Sequence, residues 1–238
     1  MILRQILPKM VQVVETRVDR GSDLFAVEEA VIANAVPKRR REFTTVRACA
    51  RQALQGLGVD PVPLVPGPGG APVWPTGIVG SMTHCWGFRA AAVAKSTQVD
   101  AIGIDAEPNT PLSPEALAAI ALPPELGMLN DMARRYCGIA LDRVVFSAKE
   151  AVYKAWYPTH GYYIPHDQIQ IDLWDNEFRA TLTDSTDRHI FWGTWAAVRG
   201  IVCATAVTVV PVASPPLATF DQSSFSLGAS KAKEHPDA

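Results

Sequence analysis

The chain has 238 residues, of which 48% are hydrophobic and 19% are charged, a composition typical of a globular protein with a sizeable core. Its formal net charge is −2, so no global excess of positive charge points to nucleic acid or an anionic membrane as a partner. No apolar run approaches the roughly 18 residues of a membrane-spanning helix, and the N-terminus lacks a secretion signal. The sequence therefore predicts a soluble cytoplasmic protein that binds neither nucleic acid nor a membrane.

The four cysteines favour neither a zinc site nor a disulfide framework. Cys49, Cys85, Cys137 and Cys203 form no CxxC pair and have no histidine cluster beside them, which argues against zinc. The neighbours of Cys49 and Cys203 are largely apolar. The sequence therefore predicts buried free thiols in a reducing compartment.

The segment 37–58 predicts a helix with one strongly basic side. Apolar residues recur there at three- and four-residue steps, a proline suits the first turn, and two glycines close the helix. Up to Arg51 the segment carries six cations and one anion. Arg40, Arg47 and Arg51 share one stripe and could converge on a single anion, although a solvated helix face would show the same charges.

The middle of the chain predicts a loop and a pair of strands. Residues 59–77 contain six prolines and four glycines, which oppose regular structure. Extended segments follow at 88–94 and 99–105, and the short turn between them allows a hairpin.

The remaining elements are predicted helices followed by predicted strands. Helices are expected at 113–121, 124–136 and 148–157. A short extended piece at 142–146 precedes the last helix, which Ser147 caps and Pro158 ends. Strands are expected at 169–174, 178–182, 190–198 and 201–210. Residues 211–238 are rich in proline, serine and alanine and predict a disordered tail.

These elements predict a mixed α/β (α+β) fold. Each half offers a helix followed by antiparallel strands, so the expected division is residues 1–104, residues 105–210 and the tail. An internal duplication is compatible with this order, but the two halves share only a faint apolar rhythm.

Two carboxylates end the strand predicted at 99–105. Asp105 and Glu107 are two residues apart, so their side chains project the same way from an extended chain. Such a pair is repelled unless a cation lies between the carboxylates, and a hard divalent ion, Mg²⁺ by default, suits oxygen ligands. Two solvated acids at a strand exit would have the same sequence.

Two further segments carry polar groups in patterns that favour phosphate chemistry. Glu150 and Lys154 are one helical turn apart. They form either an ion pair that contributes about 0.3 kcal/mol or a face on which Glu150 binds a metal or takes a proton and Lys154 neutralises a phosphate. Thr83 and His84 follow glycines, and a hydroxyl, an imidazole and backbone amides suit a phosphate, although a lone histidine is more often structural.

Several other enzyme classes lack support. The sequence contains no GxSxG elbow, no P-loop lysine motif and no GxGxxG. Hydrolysis by a Ser-His-Asp triad, nucleotide phosphorylation and dinucleotide binding on a Rossmann fold are therefore not indicated.

Four segments in this order resemble the Sfp-type 4′-phosphopantetheinyl transferases of the actinobacterial branch. The segments are KRRREFTTVRACAR, GAPVWPTGIVGSMTHCWGFR, GIDAEP and FSAKEAVYKAW, from Lys38 to Trp156. The resemblance implies transfer of the phosphopantetheine arm of coenzyme A to a serine hydroxyl of an apo acyl or peptidyl carrier protein, with release of adenosine 3′,5′-bisphosphate. It also implies a monomer whose two similar, pseudo-twofold-related halves enclose the ligand cleft.

The resemblance also implies roles for individual residues. Asp105, Glu107 and Glu150 match metal-binding acids for Mg²⁺ or Mn²⁺, and Glu150 is also the favoured base. Lys154 matches the lysine at the reacting phosphate. Coenzyme A would be bound by Asp105, Glu150 and Lys154 together with five further residues, Arg39, Arg40, Arg47, Thr83 and His84.

One departure from the family pattern affects coenzyme A binding. Close relatives carry basic residues around positions 66–69, where this chain has Pro-Gly-Pro-Gly, so coenzyme A binding would depend more on the arginines of the helix predicted at 37–58.

Two other functions stay open: a Mg²⁺-dependent phosphohydrolase acting on coenzyme A or holo-carrier, and a non-catalytic carrier- or coenzyme A-binding module. Candidate carrier contacts are Tyr162, Tyr163 and Ile164.

Overall fold

Two antiparallel sheets, each packed against one long helix, form the body of the molecule. The computed structural model describes residues 1–21, 23–182 and 189–211. The helices are α1 (Leu3–Ile6), α2 (Ala26–Val31), α3 (Pro37–Gln55), α4 (Pro114–Ile120), α5 (Pro123–Met132) and α6 (Leu141–His160). The strands are β1 (Gln12–Thr16), β2 (Ile78–Cys85), β3 (Phe88–Lys95), β4 (Val99–Pro108), β5 (Ile169–Trp174), β6 (Glu177–Leu182), β7 (Ile190–Val198) and β8 (Ile201–Val209). The predicted mixed class is confirmed.

The first sheet has the strand order β1-β3-β2 and packs against α3. Its central strand β3 is buried on both faces. Ala91 and Val93 pack under Leu54 and its neighbours on α3, whereas Ala90 and Ala92 face a separate cluster that includes Ile104 of β4. Small side chains on β3 therefore allow a helix and a second strand layer to approach it closely from opposite sides.

The second sheet has the order β4-β8-β7-β6-β5 and packs against α6. The closest approach is at Gly103 of β4, where an added Cβ would lie 1.7 Å from the carbonyl oxygen of Ala151. Only glycine fits here, and the contact fixes the height of α6 above β4. Both long helices are thus held by packing on a sheet.

The two sheets meet along β2 and β4 through serine and threonine hydroxyls. Ser81 Oγ accepts a hydrogen bond from Ile104 N at 3.1 Å, and Thr83 Oγ1 accepts one from Ala106 N at 3.1 Å. These side chains satisfy backbone donors of β4 on the edge that is not paired with β8. These hydrogen bonds between β2 and β4 place the acidic end of β4 beside the end of β2.

The predicted hairpin between residues 88–94 and 99–105 is wrong. β3 pairs with β1 on one side and with β2 on the other, so neither edge is free for β4. The hairpin is instead β2–β3, closed by Trp86 and Gly87, and β4 joins the other sheet. Thr83 and His84 consequently lie near the end of β2.

The predicted ends of α6 are also wrong. Residues 142–146 are helical, not extended, because Val144 and Val145 are needed on the buried face of α6. Ser147 lies fully buried inside the helix instead of capping it. Pro158 lies in the last turn, and the helix ends at His160, where the following Gly161 adopts the left-handed conformation with φ 75°.

The N-terminal third contains elements that the sequence patterns did not predict. α1, β1 and α2 are short and carry little periodicity, and the loop 59–77 contains a 3₁₀ turn at Pro68–Gly70. The predicted boundary after residue 104 falls inside β4. The predicted disordered tail lies outside the described residues from position 212 onward.

The predictions about the cysteines and about membrane-spanning helices can be compared with the described residues. The four cysteines are free thiols, and Cys49 and Cys203 are buried as predicted, but Cys137 is exposed. None of the described helices combines the length and apolarity needed to cross a bilayer.

The contact between β4 and α6 predicts a large loss of stability in Gly103→Ala. The new methyl group would meet backbone atoms of Ala151 and Ala155, which cannot move without lifting α6, so we expect a loss of about 3 kcal/mol in urea unfolding. Gly127→Ala is the matched control, since α5 has open space there and alanine should add up to about 1 kcal/mol. Equal stability of both variants would contradict the close contact.

Candidate active site

Lys154 of α6 reaches the acidic end of β4. Its Nζ donates to Asp105 Oδ1 at 2.7 Å and to the carbonyl of Ile104 at 3.3 Å. Burial alone would lower the pKa of Lys154, but the charge and hydrogen bond of Asp105 outweigh it and raise the pKa above its ordinary value. The lysine is therefore a fixed positive charge, and it pairs with Asp105 instead of forming the ion pair with Glu150 that the spacing allows.

Asp105 is the most enclosed acid of the site. Its side chain is 4% exposed, and Oδ1 also accepts a hydrogen bond from the hydroxyl of Thr83 at 3.2 Å. Oδ2 is buried and has no hydrogen-bond partner. Because an unpaired buried carboxylate oxygen is costly, this atom marks a position where a cation or donor would be stabilising.

Glu107 lies on the same strand and is only weakly neutralised. Its Oε2 is 3.4 Å from Nη1 of Arg143. Burial, followed by repulsion from Asp105, raises the pKa of Glu107 to about 7 in spite of Arg143. The two acids of β4 therefore repel each other, as their spacing predicts.

Glu150 is held by a histidine that follows α6. His166 Nε2 lies 2.8 Å from Glu150 Oε1. Burial would raise the pKa of Glu150, but the hydrogen bond to His166 and the charge of Lys154 lower it below its ordinary value. Glu150 is thus ionised at neutral pH, which a general base requires.

His166 is itself positioned by a buried ion pair. Lys149 Nζ donates to the backbone carbonyl of His166 at 3.0 Å and to Glu125 Oε2 at 2.8 Å. Glu125 in turn accepts from the amide of Ile171, and the ring of Phe146 packs edge-on against His166. Lys149 and Glu125 are fully enclosed, so the backbone that carries His166 is fixed from the core.

The three acids predicted to bind metal are not gathered into one cluster. Among the described residues, no group of three or more His, Cys, Asp or Glu side chains is assembled to hold an ion. Asp105, Glu107 and Glu150 are held by Lys154, Arg143 and His166 respectively. The unpaired Oδ2 of Asp105 and the raised pKa of Glu107 are the two features that a bound divalent cation would relieve.

A cleft of about 410 Å³ extends from Lys154 along α3. Arg39, Arg47 and His84 line it together with Pro66 and Pro72 of the long loop. Arg39 Nη1 lies 3.0 Å from His84 Nε2. The same nitrogen lies 3.4 Å from Oε2 of Glu42, a carboxylate that also lines the cleft. Burial lowers the pKa of His84 in spite of Glu42, and a neutral ring can accept from Arg39, whose guanidinium only donates. Arg39, Arg47 and Lys154 outnumber Glu42, so the cleft is cationic overall.

Arg47 is anchored before any ligand binds. Its Nε donates to the carbonyl of Leu64 at 2.9 Å, and its guanidinium carbon is 3.1 Å from the ring centroid of Phe43. Burial lowers the pKa of Arg47 to about 10, which still leaves it charged at neutral pH. The hydrogen bond to Leu64 and the contact with Phe43 together fix the orientation of the guanidinium.

The stripe of arginines on α3 does not converge on one anion. Arg40 donates to the carbonyl of Ile32 and pairs with Glu29 at 2.6 Å, whereas Arg51 pairs with the buried Glu28 at 3.0 Å. Both partners belong to α2, which the sequence analysis did not predict. Arg40 is not among the described residues that line the cleft.

Thr83 also differs from its predicted role. It is buried, and its hydroxyl bonds to Asp105 and to the amide of Ala106. It therefore acts on the site through Asp105 and not as part of the described cleft wall.

A smaller cavity of about 180 Å³ lies on the other side of Lys154. Tyr153 and Tyr157 of α6 line it, together with the loop residues Gly69–Pro72. Gly69 has φ 62°, and a Cβ there would lie 2.2 Å from the ring of Tyr157. The loop that lacks basic residues thus forms the wall of this cavity through its backbone.

Three residues of the site were missed by sequence reasoning. Ser81 could have been found from its spacing of two from Thr83, since both side chains project toward β4. Arg143 and His166 carry no such signal. Arg143 lies in the segment 142–146, which the sequence predicts to be extended. His166 lies beyond Trp156, where the last recognised motif ends.

Comparison with known proteins agrees with this geometry. Residues 27–94 match the family model "4′-phosphopantetheinyl transferase N-terminal domain", and residues 101–206 match "4′-phosphopantetheinyl transferase superfamily". The chain is 47% identical over 205 residues to 4′-phosphopantetheinyl transferase Svp of Streptomyces mobaraensis, across 83% of this chain and 82% of Svp.

Two other relatives are also named as 4′-phosphopantetheinyl transferases. Transferase Npt of Nocardia iowensis is 44% identical over 71% of this chain and 76% of its own length. Transferase PptT of Mycobacterium tuberculosis is 42% identical over 76% of this chain and 84% of its own length. With a cationic cleft that ends at an acid-lysine pair, the chain belongs to the 4′-phosphopantetheinyl transferase superfamily.

Proposed function

We propose that this chain transfers the 4′-phosphopantetheine arm of coenzyme A to the serine hydroxyl of an apo acyl or peptidyl carrier protein. The observation that carries the proposal is the position of Lys154, which lies between the arginine-lined cleft and the smaller cavity and is fixed by Asp105. Carriers of fatty-acid, polyketide and siderophore synthesis are the substrate class. We further propose that the enzyme is monomeric and acts in the cytoplasm, where coenzyme A is available.

The two cavities suit the two ends of coenzyme A. The larger cleft would hold the nucleotide, with Arg39 and Arg47 at the 3′-phosphate, because a planar guanidinium can bond two oxygens of a phosphate at once. The smaller cavity would receive the arm beside Tyr153 and Tyr157. The pyrophosphate then lies at Lys154, with His84 on the cleft side.

The chemistry is a displacement at phosphorus. The serine oxygen forms a bond to the phosphorus that carries the arm, the bond from that phosphorus to the bridging oxygen breaks, and adenosine 3′,5′-bisphosphate leaves. Glu150 takes the proton of the serine, since its lowered pKa keeps it ionised. Lys154 stabilises the negative charge on the departing bisphosphate.

The three acids have the oxygen donors that a divalent metal takes, although the described structure does not gather them around one point. Asp105, Glu107 and Glu150 would hold Mg²⁺, or Mn²⁺, which takes similar oxygen donors. The unpaired Oδ2 of Asp105 supports this assignment. When bound, the ion supplies positive charge to the phosphate oxygens.

Loss of either central acid should abolish most transfer. We expect Glu150→Gln and Asp105→Ala to lower the rate about 10²- to 10⁴-fold, measured as gain of one phosphopantetheine mass on an apo carrier with coenzyme A and Mg²⁺. Asp172→Ala is the control, since Asp172 pairs with Arg179 on β6, away from the described cleft. Full activity of folded Asp105→Ala would contradict the assignment, and bisphosphate release without carrier would indicate a hydrolase.

The two neighbouring arginines of α3 should differ in their effect on coenzyme A binding. Arg39→Ala removes a cation from the cleft and should raise the KM for coenzyme A about tenfold or more. Arg40→Ala removes the contacts with Glu29 and with the carbonyl of Ile32, not a group that lines the cleft, and should leave that KM unchanged. The test is steady-state kinetics with varied coenzyme A, and equal effects of both substitutions would refute the separation of roles.

His166 should act by orienting Glu150. His166→Leu removes the hydrogen bond to Glu150 and should lower kcat about tenfold, with the KM for coenzyme A nearly unchanged. His166→Gln keeps a donor and should recover most of kcat. If the leucine and glutamine variants lose the same activity, the hydrogen bond is not what His166 contributes.

A further inference from the structure

A fully buried carboxylate lies behind the cleft and is connected to it by two hydrogen bonds in series. Glu28 of α2 has no exposed surface, and it is not among the described residues that line the cleft. Its carboxylate accepts from the amides of Phe25 and Leu64 at 3.0 Å and 2.8 Å, and from Arg51 of α3 at 3.0 Å. One side chain therefore joins α2, α3 and the loop 59–77.

Leu64 is the link between Glu28 and Arg47. Both of its backbone groups are occupied, since its amide donates to Glu28 and its carbonyl accepts from Arg47 Nε at 2.9 Å. Its side chain is buried against α3 in the same cluster as Leu54. Because Leu64 is held at its amide and at its side chain, its carbonyl is fixed in one position. Glu28 thus helps to place the acceptor that orients Arg47.

The orientation of Arg47 determines how well it can bind an anion. The hydrogen bond to Leu64 uses Nε, which leaves both Nη groups for a ligand of the cleft. A guanidinium bonds two phosphate oxygens at once only when its plane faces them. If the carbonyl of Leu64 were free to move, Arg47 would have to be ordered when the ligand binds, at a cost in affinity.

Glu28 also supports the positive charge of Arg47. Burial lowers the pKa of Arg47 to about 10, and the neighbouring cations Arg39 and Arg51 act in the same direction, whereas the carboxylate of Glu28 raises it. The buried anion therefore offsets repulsion between arginines of α3. A neutral residue at position 28 would lose this effect together with the hydrogen bonds.

The part of the loop that lines the smaller cavity is held independently of Glu28. Backbone hydrogen bonds and a β-bridge close the segment 65–73 on itself. In one of them Gly67 N donates to Ala71 O at 2.7 Å. The tip of this segment lines the cavity beside Tyr157. Loss of Glu28 should therefore affect the arginine end of the cleft and not the cavity assigned to the arm.

We propose that Glu28 is a positioning residue for coenzyme A, which orients Arg47 toward the 3′-phosphate through Leu64. It thereby contributes to the selection of coenzyme A over forms that lack this phosphate. The inference rests on the proposed transferase function, in which Arg47 binds the 3′-phosphate. It adds a residue that acts on this phosphate from outside the cleft.

The first test compares coenzyme A with 3′-dephospho-coenzyme A in transfer to an apo acyl carrier protein. Glu28→Gln removes the charge and one acceptor oxygen, and it should raise the KM for coenzyme A about tenfold. The kcat and the KM for dephospho-coenzyme A should stay nearly unchanged. Glu15→Gln is the matched control, since Glu15 also accepts from two backbone amides, does not line the described cleft, and should alter neither KM. Equal losses with both cosubstrates would show that Glu28 only supports the fold.

A double substitution tests whether Glu28 acts through Arg47. Arg47→Ala should itself reduce the preference for coenzyme A over dephospho-coenzyme A. Glu28→Gln should then reduce this preference no further, because the side chain that it orients is gone. Additive losses in the double variant would mean that Glu28 acts by another route.

Replacement of the whole buried pair guards against unfolding of Glu28→Gln. Removal of one partner leaves an uncompensated buried charge, whereas apolar residues in place of both partners are often neutral for stability. Glu28→Met with Arg51→Met also removes the contact of Arg51 with the carbonyl of Asp23 and leaves the amide of Leu64 without its acceptor. Once urea unfolding shows that this variant is folded, it should lose affinity for coenzyme A alone. An undiminished preference for coenzyme A in it would overturn the inference.

Binding without a carrier keeps this inference distinct from the transferase proposal. Calorimetry should show that the wild type binds coenzyme A more tightly than dephospho-coenzyme A, and that Glu28→Gln reduces this difference about tenfold. If that result holds but no carrier is modified, only the transferase proposal fails. If carriers are modified but Glu28→Gln weakens both ligands equally, or neither, only the positioning role of Glu28 fails.

Discussion

The position of one buried carboxylate determines how the rest of the site is arranged. Asp105 accepts hydrogen bonds from Lys154 of α6 and from Thr83 of β2, so a helix of one half and a strand of the other meet at the same oxygen. A charge enclosed to this degree is stable only with partners. The fold supplies them by bringing α6 close to β4 at Gly103 and by joining β2 to β4 through hydroxyl side chains.

The remaining charges follow from this arrangement. Lys154 is occupied by Asp105, so Glu150 takes His166 as its partner, and Glu107 is left with a longer contact to Arg143. The site thus contains one firmly ionised base, one fixed cation and one acid with a raised pKa. Phosphoryl transfer requires this combination of placed charges more than it requires covalent help from the protein.

Much of this arrangement could be predicted from the sequence, because short-range patterns encode it. The spacing of Asp105 and Glu107 on a strand and of Glu150 and Lys154 on a helix gave the central groups, and periodicity gave α3 and the last four strands. Strand pairing could not be predicted, since β3 and β4 are adjacent in sequence but belong to different sheets. The partners of Arg40 and Arg51 were missed because α2 is six residues long and has almost no pattern.

The loop between α3 and β2 is secured by an interaction distant from the reacting groups. The fully buried Glu28 accepts hydrogen bonds from the amide of Leu64 and from Arg51, and the carbonyl of Leu64 accepts one from Arg47. A stretch rich in proline and glycine thereby becomes a preorganised wall. The conformational entropy of that wall is lost when the chain folds, so a ligand that enters the cleft meets a surface that is already ordered.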